Sequence, residues 1–133
     1  MKYLLLSYTP IAEWDSSDAA DVPSAEALEA FAIYEKFQTE LSASGELVAT
    51  EGLGHPSLSR TLRKQADAVV VTDGPFAELK EVLVSYAVID CSGYDRAVEI
   101  ARQVVAAIGD TVEIRPIMGE DFTESVAQTE SRT

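Results

Sequence analysis

The sequence is poor in the residue types that build disulfides, metal centres and nucleophilic sites. Its 133 residues contain one cysteine, one histidine and one tryptophan. A single cysteine, Cys91, excludes an intramolecular disulfide, and one histidine without any metal-binding Cys spacing predicts no metal site. Because Cys91 ends an apolar run, we expect a small buried thiol rather than a nucleophile.

Basic residues are also scarce. Ten Lys and Arg against 23 Asp and Glu give a formal net charge of -13. This charge repels nucleic-acid phosphates and anionic lipid headgroups, so we expect neither nucleic-acid nor membrane binding. Seven acids and no Lys or Arg lie between Thr9 and Glu35. Such a run is typical of a solvated face, with a docking surface for a basic partner as the alternative.

Long hydrophobic runs and the common cofactor motifs are missing as well. No segment approaches the roughly 18 apolar residues of a membrane span, and Tyr3–Leu6 is too short for a secretory core. There is no GxGxxG, phosphate-binding loop or GxSxG elbow, so no cofactor is expected. These absences predict a cytoplasmic protein.

The apolar periodicities that are present predict an α+β fold. Ile11–Pro23 is expected to be an acidic loop. Two helices are expected to begin behind the N-caps Ser24 and Ser92 and to end at Gly45 and Gly109. The first carries an apolar stripe of Leu28, Phe31, Tyr34, Phe37 and Leu41. Strands are expected at Lys2–Tyr8, Glu46–Glu51, Leu58–Arg63, Ala68–Thr72, Val82–Cys91 and Thr111–Met118.

Each half of the chain therefore ends as helix, glycine, strand. This order suggests a ferredoxin-like β-α-β-β-α-β sheet with an inserted hairpin, in one domain at 1–118 followed by a disordered tail at 119–133. Leu4–Leu6, Val69–Val71 and Val82–Val84 are apolar on both alternating faces, whereas both helices are expected on one face. We therefore predict a homodimer in which the bare sheet faces pack together.

The stretch VVTDGPFAELKE, from Val70 to Glu81, is longer than a hairpin connection needs. Asp73, Gly74 and Pro75 supply turn chemistry, and Phe76 is expected to anchor the loop in the core. Glu78, Lys80 and Glu81 are not explained in this way. If the chain is extended here, Glu78 and Lys80 share a face with Val82, where an acid and a base beside an apolar wall would serve proton transfer or carboxylate binding.

The segment DGPFAELKE, with MKYLLLSY and GELVATEGL before it and VEIRPIM after it, resembles the YCII-related proteins of the DGPF type. The resemblance implies a dimeric ferredoxin-like α/β barrel. In the broader family a His and Asp pair is regarded as a catalytic dyad, and some members look like lyases or dehydrochlorinases that act on small organic acids. This sequence has no histidine between Met1 and Gly54, where the family's dyad histidine lies, and has Leu79 in place of the common threonine.

The candidate site residues follow from these observations. Asp73 and His55 are the candidate catalytic residues, with His55 as an exposed loop residue in the alternative interpretation. Arg115 either pairs with Glu113 or binds a carboxylate. The leading hypothesis is a cofactor-free lyase or isomerase that acts on a small organic ligand by proton transfer; the alternative is a non-enzymatic ligand-binding or regulatory protein. The candidate substrate-binding residues are Tyr8, Glu78, Lys80 and Arg115.

Overall fold

The computed structural model describes residues 1–18 and 24–119. The predicted tail beyond 119 lies outside this range, as does the second part of the predicted 11–23 loop. The described residues form six strands and three helices. In chain order these are β1 Lys2–Pro10, α1 Ile11–Asp18, α2 Ala25–Ser44, β2 Leu47–Gly52, β3 Arg60–Gln65, β4 Ala68–Asp73, β5 Glu81–Asp90, α3 Tyr94–Ile108 and β6 Thr111–Pro116.

Four of the strands form one sheet in the order β2-β5-β1-β6, and every neighbouring pair is antiparallel. Strands β3 and β4 form a separate two-stranded hairpin, inserted between β2 and β5. This α+β topology is compatible with the predicted ferredoxin-like fold and its inserted hairpin. Val69–Val71 lie in β4 of this hairpin, as predicted, but they are exposed and do not belong to the four-stranded sheet, so they add nothing to its apolar face.

One face of the sheet forms the core with α2 and α3. In β1, the alternate residues Tyr3, Leu5 and Ser7 are buried, whereas Leu4 and Leu6 between them are only half-buried. This alternation follows from the two-residue repeat of a strand. The core combines side chains from both central strands and both helices: Tyr3, Leu5, Leu41, Ile89, Cys91, Ala97, Ile100 and Ala101.

The opposite face of the sheet, which we call the open face, points away from α2 and α3. The register places Leu4 beside Val88 and Leu6 beside Tyr86 on this face. All four of these side chains are half-buried. Charged residues of the outer strands border them, including Glu113, Arg115 and Glu51. The open face is therefore an apolar centre with a charged border.

The helix termini confirm three of the four predicted caps. Ser24 accepts a hydrogen bond from the amide of Ala27 at 3.1 Å. Gly45 and Gly109 end α2 and α3 with φ angles of 82° and 86°, in the left-handed region that favours glycine. The prediction of Ser92 as the fourth cap was wrong. Helix α3 begins at Tyr94, so Gly93 occupies the N-cap position and Ser92 precedes it by one residue.

Two further predictions need correction. Residues 11–18 of the expected acidic loop form α1, whose short, polar sequence has little apolar periodicity to mark it. The predicted stripe of α2 is buried only towards its C-terminal end. Leu41 is in the core, but Leu28 and Phe31 are 56% and 58% exposed. A 20-residue helix is about 30 Å long, and the core contacts involve only its second half.

An ion pair joins the start of β2 to α3. The Arg96 side chain donates through Nε and Nη2 to the two carboxylate oxygens of Glu46, each at 2.8 Å, and through Nη1 to Glu99 at 2.7 Å. The hydrogen bonds from Arg96 hold the pKa of Glu46 below its usual value of 4.5. A bidentate ion pair fixes the relative orientation of the two side chains as well as their distance. The pair therefore helps to orient α3 against the edge of the sheet.

We predict that this pair makes stability sensitive to acid. Since the pKa of Glu46 is lowered by folding, its contribution is present above pH 4.5 and is lost as the pH falls through the lower folded value. In urea titrations across this range, E46Q should have a shallower pH dependence than the wild type and lose about 1–2 kcal/mol at neutral pH. R96Q should reproduce both effects. An unchanged pH dependence in E46Q would contradict the prediction.

Candidate functional site

A cleft of about 610 Å³ lies where one end of the sheet meets the β3–β4 hairpin. Its wall is mainly apolar, with a few polar side chains among the apolar ones. A volume and composition of this kind are typical of pockets for small organic ligands. The lining residues are Tyr8, Leu53, Gly54, His55, Pro56, Leu58, Ser59, Thr61, Pro75, Phe76, Ala77, Leu79, Glu81, Val82 and Leu83.

The DGPF segment forms one wall of the cleft because its turn is fixed to β3 and to the turn before it. Gly74 has a φ of 99°, which glycine adopts without strain. Its amide donates to the carbonyl of Ser59 at 2.7 Å, and its carbonyl accepts from the Thr61 hydroxyl at 2.9 Å. Near the C-terminal end of the segment, the carbonyl of Lys80 accepts a hydrogen bond from the amide of Ile11 at 2.8 Å, which joins the segment to α1.

Phe76 does not anchor the loop in the core, as the sequence had suggested. Its side chain is 72% exposed and lines the cleft. The guanidinium of Arg63 lies 4.5 Å from its ring centroid, and Nη2 of Arg63 donates to the Phe76 carbonyl at 3.1 Å. The cation–π contact and the hydrogen bond hold the ring in place at the surface without burial.

Tyr8 lies on the open face at the end of the sheet, because its pairing with β6 continues the regular alternation of β1. The register shifts between Ser7 and Tyr8, so Ser7 pairs with Ser85 but Tyr8 pairs with Leu83. The extra residue, Val84, is on β5, so this bulge turns Leu83 to the same side of the sheet as Tyr8; bulges are frequent beside functional sites. Tyr8 and Leu83 both line the cleft.

His55 lines the cleft and has partners at both ring nitrogens. Nδ1 accepts from the Ser57 amide at 3.2 Å and lies 2.9 Å from the Ser57 hydroxyl oxygen. Nε2 lies 2.8 Å from Oδ1 of Asp15, and the Trp14 ring packs edge-on at a centroid distance of 5.1 Å. Since a backbone amide can only donate, neutral His55 carries its proton on Nε2 and donates it to Asp15.

The sequence did not reveal Asp15 as a partner of His55, because residues 11–23 were expected to be loop. One signal was available: Ile11 and Trp14 are three residues apart, the spacing of one helix face, and both are half-buried. A single tryptophan in an acidic stretch therefore indicates that its side chain packs against the rest of the protein. Asp15, the next residue, is then also held close to that surface.

Of the six predicted site residues, the structure brings Tyr8 and His55 to the cleft. Asp73 is 93% exposed and pairs with Arg60 at 3.8 Å. Glu78 and Lys80 are exposed and precede β5, which begins only at Glu81, so the extended segment that would align them with Val82 is not formed. Arg115 lies on β6 opposite Leu4, on the open face. Glu81, not one of the six, lines the cleft.

The groups with shifted pKa values lie outside the cleft lining. Burial raises the pKa of the Cys91 thiol, whose Sγ donates to the Gly93 carbonyl at 3.4 Å. Cys91 is thus the buried thiol that the sequence predicted. Burial also raises the pKa of Asp110. The cleft is therefore identified by its shape and by the partners of His55, not by shifted pKa values.

Residues 1–18 and 24–119 contain neither a metal-ligand cluster nor a membrane-spanning helix. No three His, Cys, Asp or Glu side chains in these ranges are placed to hold a metal ion. None of the three helices there is both long and apolar enough to cross a membrane.

Comparison with known proteins gives two matches. A family model described as YCII-related domain matches residues 1–122. An uncharacterised protein of Rhizobium meliloti (strain 1021) is 37% identical over 82 residues, which cover 60% of this chain and 66% of that protein, just under two thirds of its length. Neither match states a substrate or a reaction.

The hydrogen bonds of His55 predict its tautomer. The ring ¹⁵N chemical shifts of this single histidine should show the Nε2–H form when the ring is neutral. S57A should keep this tautomer because the amide remains, whereas S57P removes the amide proton and should allow the Nδ1–H form. A predominant Nδ1–H form in the wild type would contradict the geometry described above.

Proposed function

The chain belongs to the YCII-related family, and we propose that it binds a small organic ligand in the cleft and transfers a proton through His55. This would make it a cofactor-free lyase or isomerase. The observation that carries the proposal is the pairing of His55 with Asp15 at the wall of an apolar cleft. A carboxylate on one imidazole nitrogen orients the ring and stabilises the cation formed when the ring takes up a proton.

In the proposed reaction the ligand's C–H or O–H bond breaks, its proton goes to Nδ1 of His55 and its electron pair stays on the ligand. The resulting anion then takes the proton back at another atom, as in an isomerase, or expels a leaving group, as in a lyase. Nε2–H remains hydrogen-bonded to Asp15, so the carboxylate balances the new positive charge. The Ser57 hydroxyl and amide, which face Nδ1 in the neutral state, have to move away from it. Ser57 lies in an exposed turn of three residues, where such a movement is not opposed by core packing.

Tyr8 is the proposed binding group for a carbonyl or hydroxyl of the ligand, because its phenol can donate or accept a hydrogen bond. Apolar side chains of the cleft would cover the remainder of the ligand and exclude water, which strengthens polar interactions within the site.

The proposal can be tested without knowing the natural substrate. Small carbonyl compounds and carboxylic acids with acidic C–H bonds are incubated with the protein in D₂O, and proton NMR follows the loss of the C–H signals. We expect enzyme-dependent exchange for a subset of the panel. H55Q should slow it by about 10²–10⁴-fold, the usual contribution of a general acid or base.

D73N is the matched comparison, because Asp73 is the other candidate catalytic residue and lies outside the cleft lining. Exchange that survives D73N but not H55Q would support the proposal. The opposite result would transfer the role to Asp73. Ligand binding without any exchange would favour the alternative function, a non-enzymatic ligand-binding or regulatory protein.

We also propose that two copies of the chain pair through the open face. Support comes from the half-buried Leu4, Leu6, Tyr86 and Val88, which form an apolar centre opposite to α2 and α3. A contiguous apolar surface with a charged border is the usual composition of a protein interface.

Size-exclusion chromatography with light scattering should therefore give twice the chain mass for the wild type. L6E places a charge in the centre of the open face and should give monomers. I33E is the control, since Ile33 is 53% exposed on α2 and belongs to the other side of the sheet. A wild type that is monomeric at micromolar concentration would contradict the proposed dimer.

A further inference from the structure

A second cavity, which we call the hairpin groove, adjoins the cleft. It has a volume of about 280 Å³ and lies on one face of the β3–β4 hairpin. The cleft and the groove share Thr61, Pro75 and Phe76. They therefore meet at the turn that begins the DGPF segment. The lining of the groove is more polar than that of the cleft: Thr61, Arg63, Gln65, Val70, Thr72, Pro75 and Phe76.

Arg63 is the only Lys or Arg among the residues that line these two cavities. The pairing of β3 with β4 explains its position. Arg63 lies opposite Val70 on the groove face, whereas Arg60 lies opposite Asp73 on the other face of the hairpin and forms an ion pair with it. Two arginines three residues apart on one strand therefore face different surroundings, because side chains alternate along a strand.

The guanidinium of Arg63 is held in position but still has donors to offer. The Phe76 ring lies beneath it, and one N–H group of Nη2 bonds to the Phe76 carbonyl. Within the described residues no other partner is found for the remaining N–H groups, out of the five that a guanidinium carries. An arginine fixed by a ring and one hydrogen bond is suited to bind a carboxylate through its remaining edge.

Because the protein is strongly acidic, an anionic ligand needs a nearby cation in order to bind, and Arg63 is placed to supply it. The chain has a formal net charge of -13, and the cleft wall carries Glu81 and the Asp15-paired His55. An anion that enters the cleft is therefore repelled unless a cation lies close to it. Lys80 and Arg115, the cations that the sequence suggested for this task, do not line either cavity.

We infer that the cleft and the hairpin groove form one continuous site for an apolar carboxylic acid, with the apolar body in the cleft and the carboxylate on Arg63. This inference rests on the proposed function and adds to it the class of ligand and the residue that selects it. Arg63 is a binding residue here; the proton transfer belongs to His55.

Naphthalene-2-carboxylate and naphthalene-2-carboxamide form a matched pair of probes, because they share a ring system and differ in charge. Titration calorimetry should show that the wild type binds the carboxylate about tenfold more tightly than the amide. R63Q should abolish this preference, because it removes the cation that only the carboxylate needs; any loosening of the Phe76 ring that Arg63 holds would weaken both probes alike. R60Q, the matched control on the other face of the hairpin, should keep the preference.

A third variant, S59F, separates failure of this inference from failure of the proposed function. Ser59 is exposed and lines the cleft, so a phenylalanine there should obstruct the cleft and weaken both probes. One outcome refutes only the role of Arg63: both probes bind, S59F weakens both, and R63Q has no more effect than R60Q. In that case ligand binding in the cleft is still supported. If neither probe binds the wild type, or if S59F leaves both affinities unchanged, both proposals are overturned.

Discussion

Antiparallel pairing with β5 runs along the whole of β1, from Lys2 to Pro10, and fixes which way its side chains point. β1 is a central strand, held by β5 on one side and by β6 on the other. Its alternation sends Tyr3 and Leu5 into the core and leaves Leu4 and Leu6 on the open face. Tyr8 continues the open-face positions at the end of the strand and lines the cleft. One strand thus supplies the core, the open face and part of the candidate site.

Much of this architecture could be predicted from the sequence, because local chemistry determines it. Gly45 and Gly109 end helices in a conformation that other residues adopt with strain, and Ser24 caps α2 through its own side chain. The site could be predicted only in part. Tyr8, in β1, and His55, in the loop after β2, both line the cleft, but Asp15 is brought to His55 by α1, whose polar sequence carries little periodicity. Which arginine faces a cavity depends on the pairing of β3 with β4, and no local pattern gives that register.

The family resemblance led to an expectation that the structure modifies. A histidine in the first part of the chain was implied, and this sequence has none there. The structure nevertheless brings a histidine and an aspartate within hydrogen-bond distance, with the aspartate from the first part of the chain and the histidine from the loop after β2. A His–Asp pair requires that two side chains meet in space. It can therefore form from residues at other sequence positions than those the family resemblance implied.

The packing of Trp14 against His55 has a practical consequence. The chain contains one tryptophan and one histidine, and their rings lie 5.1 Å apart at the wall of the cleft. The indole emission of the whole protein therefore originates at a single place, beside the imidazole. We therefore expect occupation of the space around the imidazole to change this emission. The molecule thus carries its own optical probe of the candidate site, with no label required.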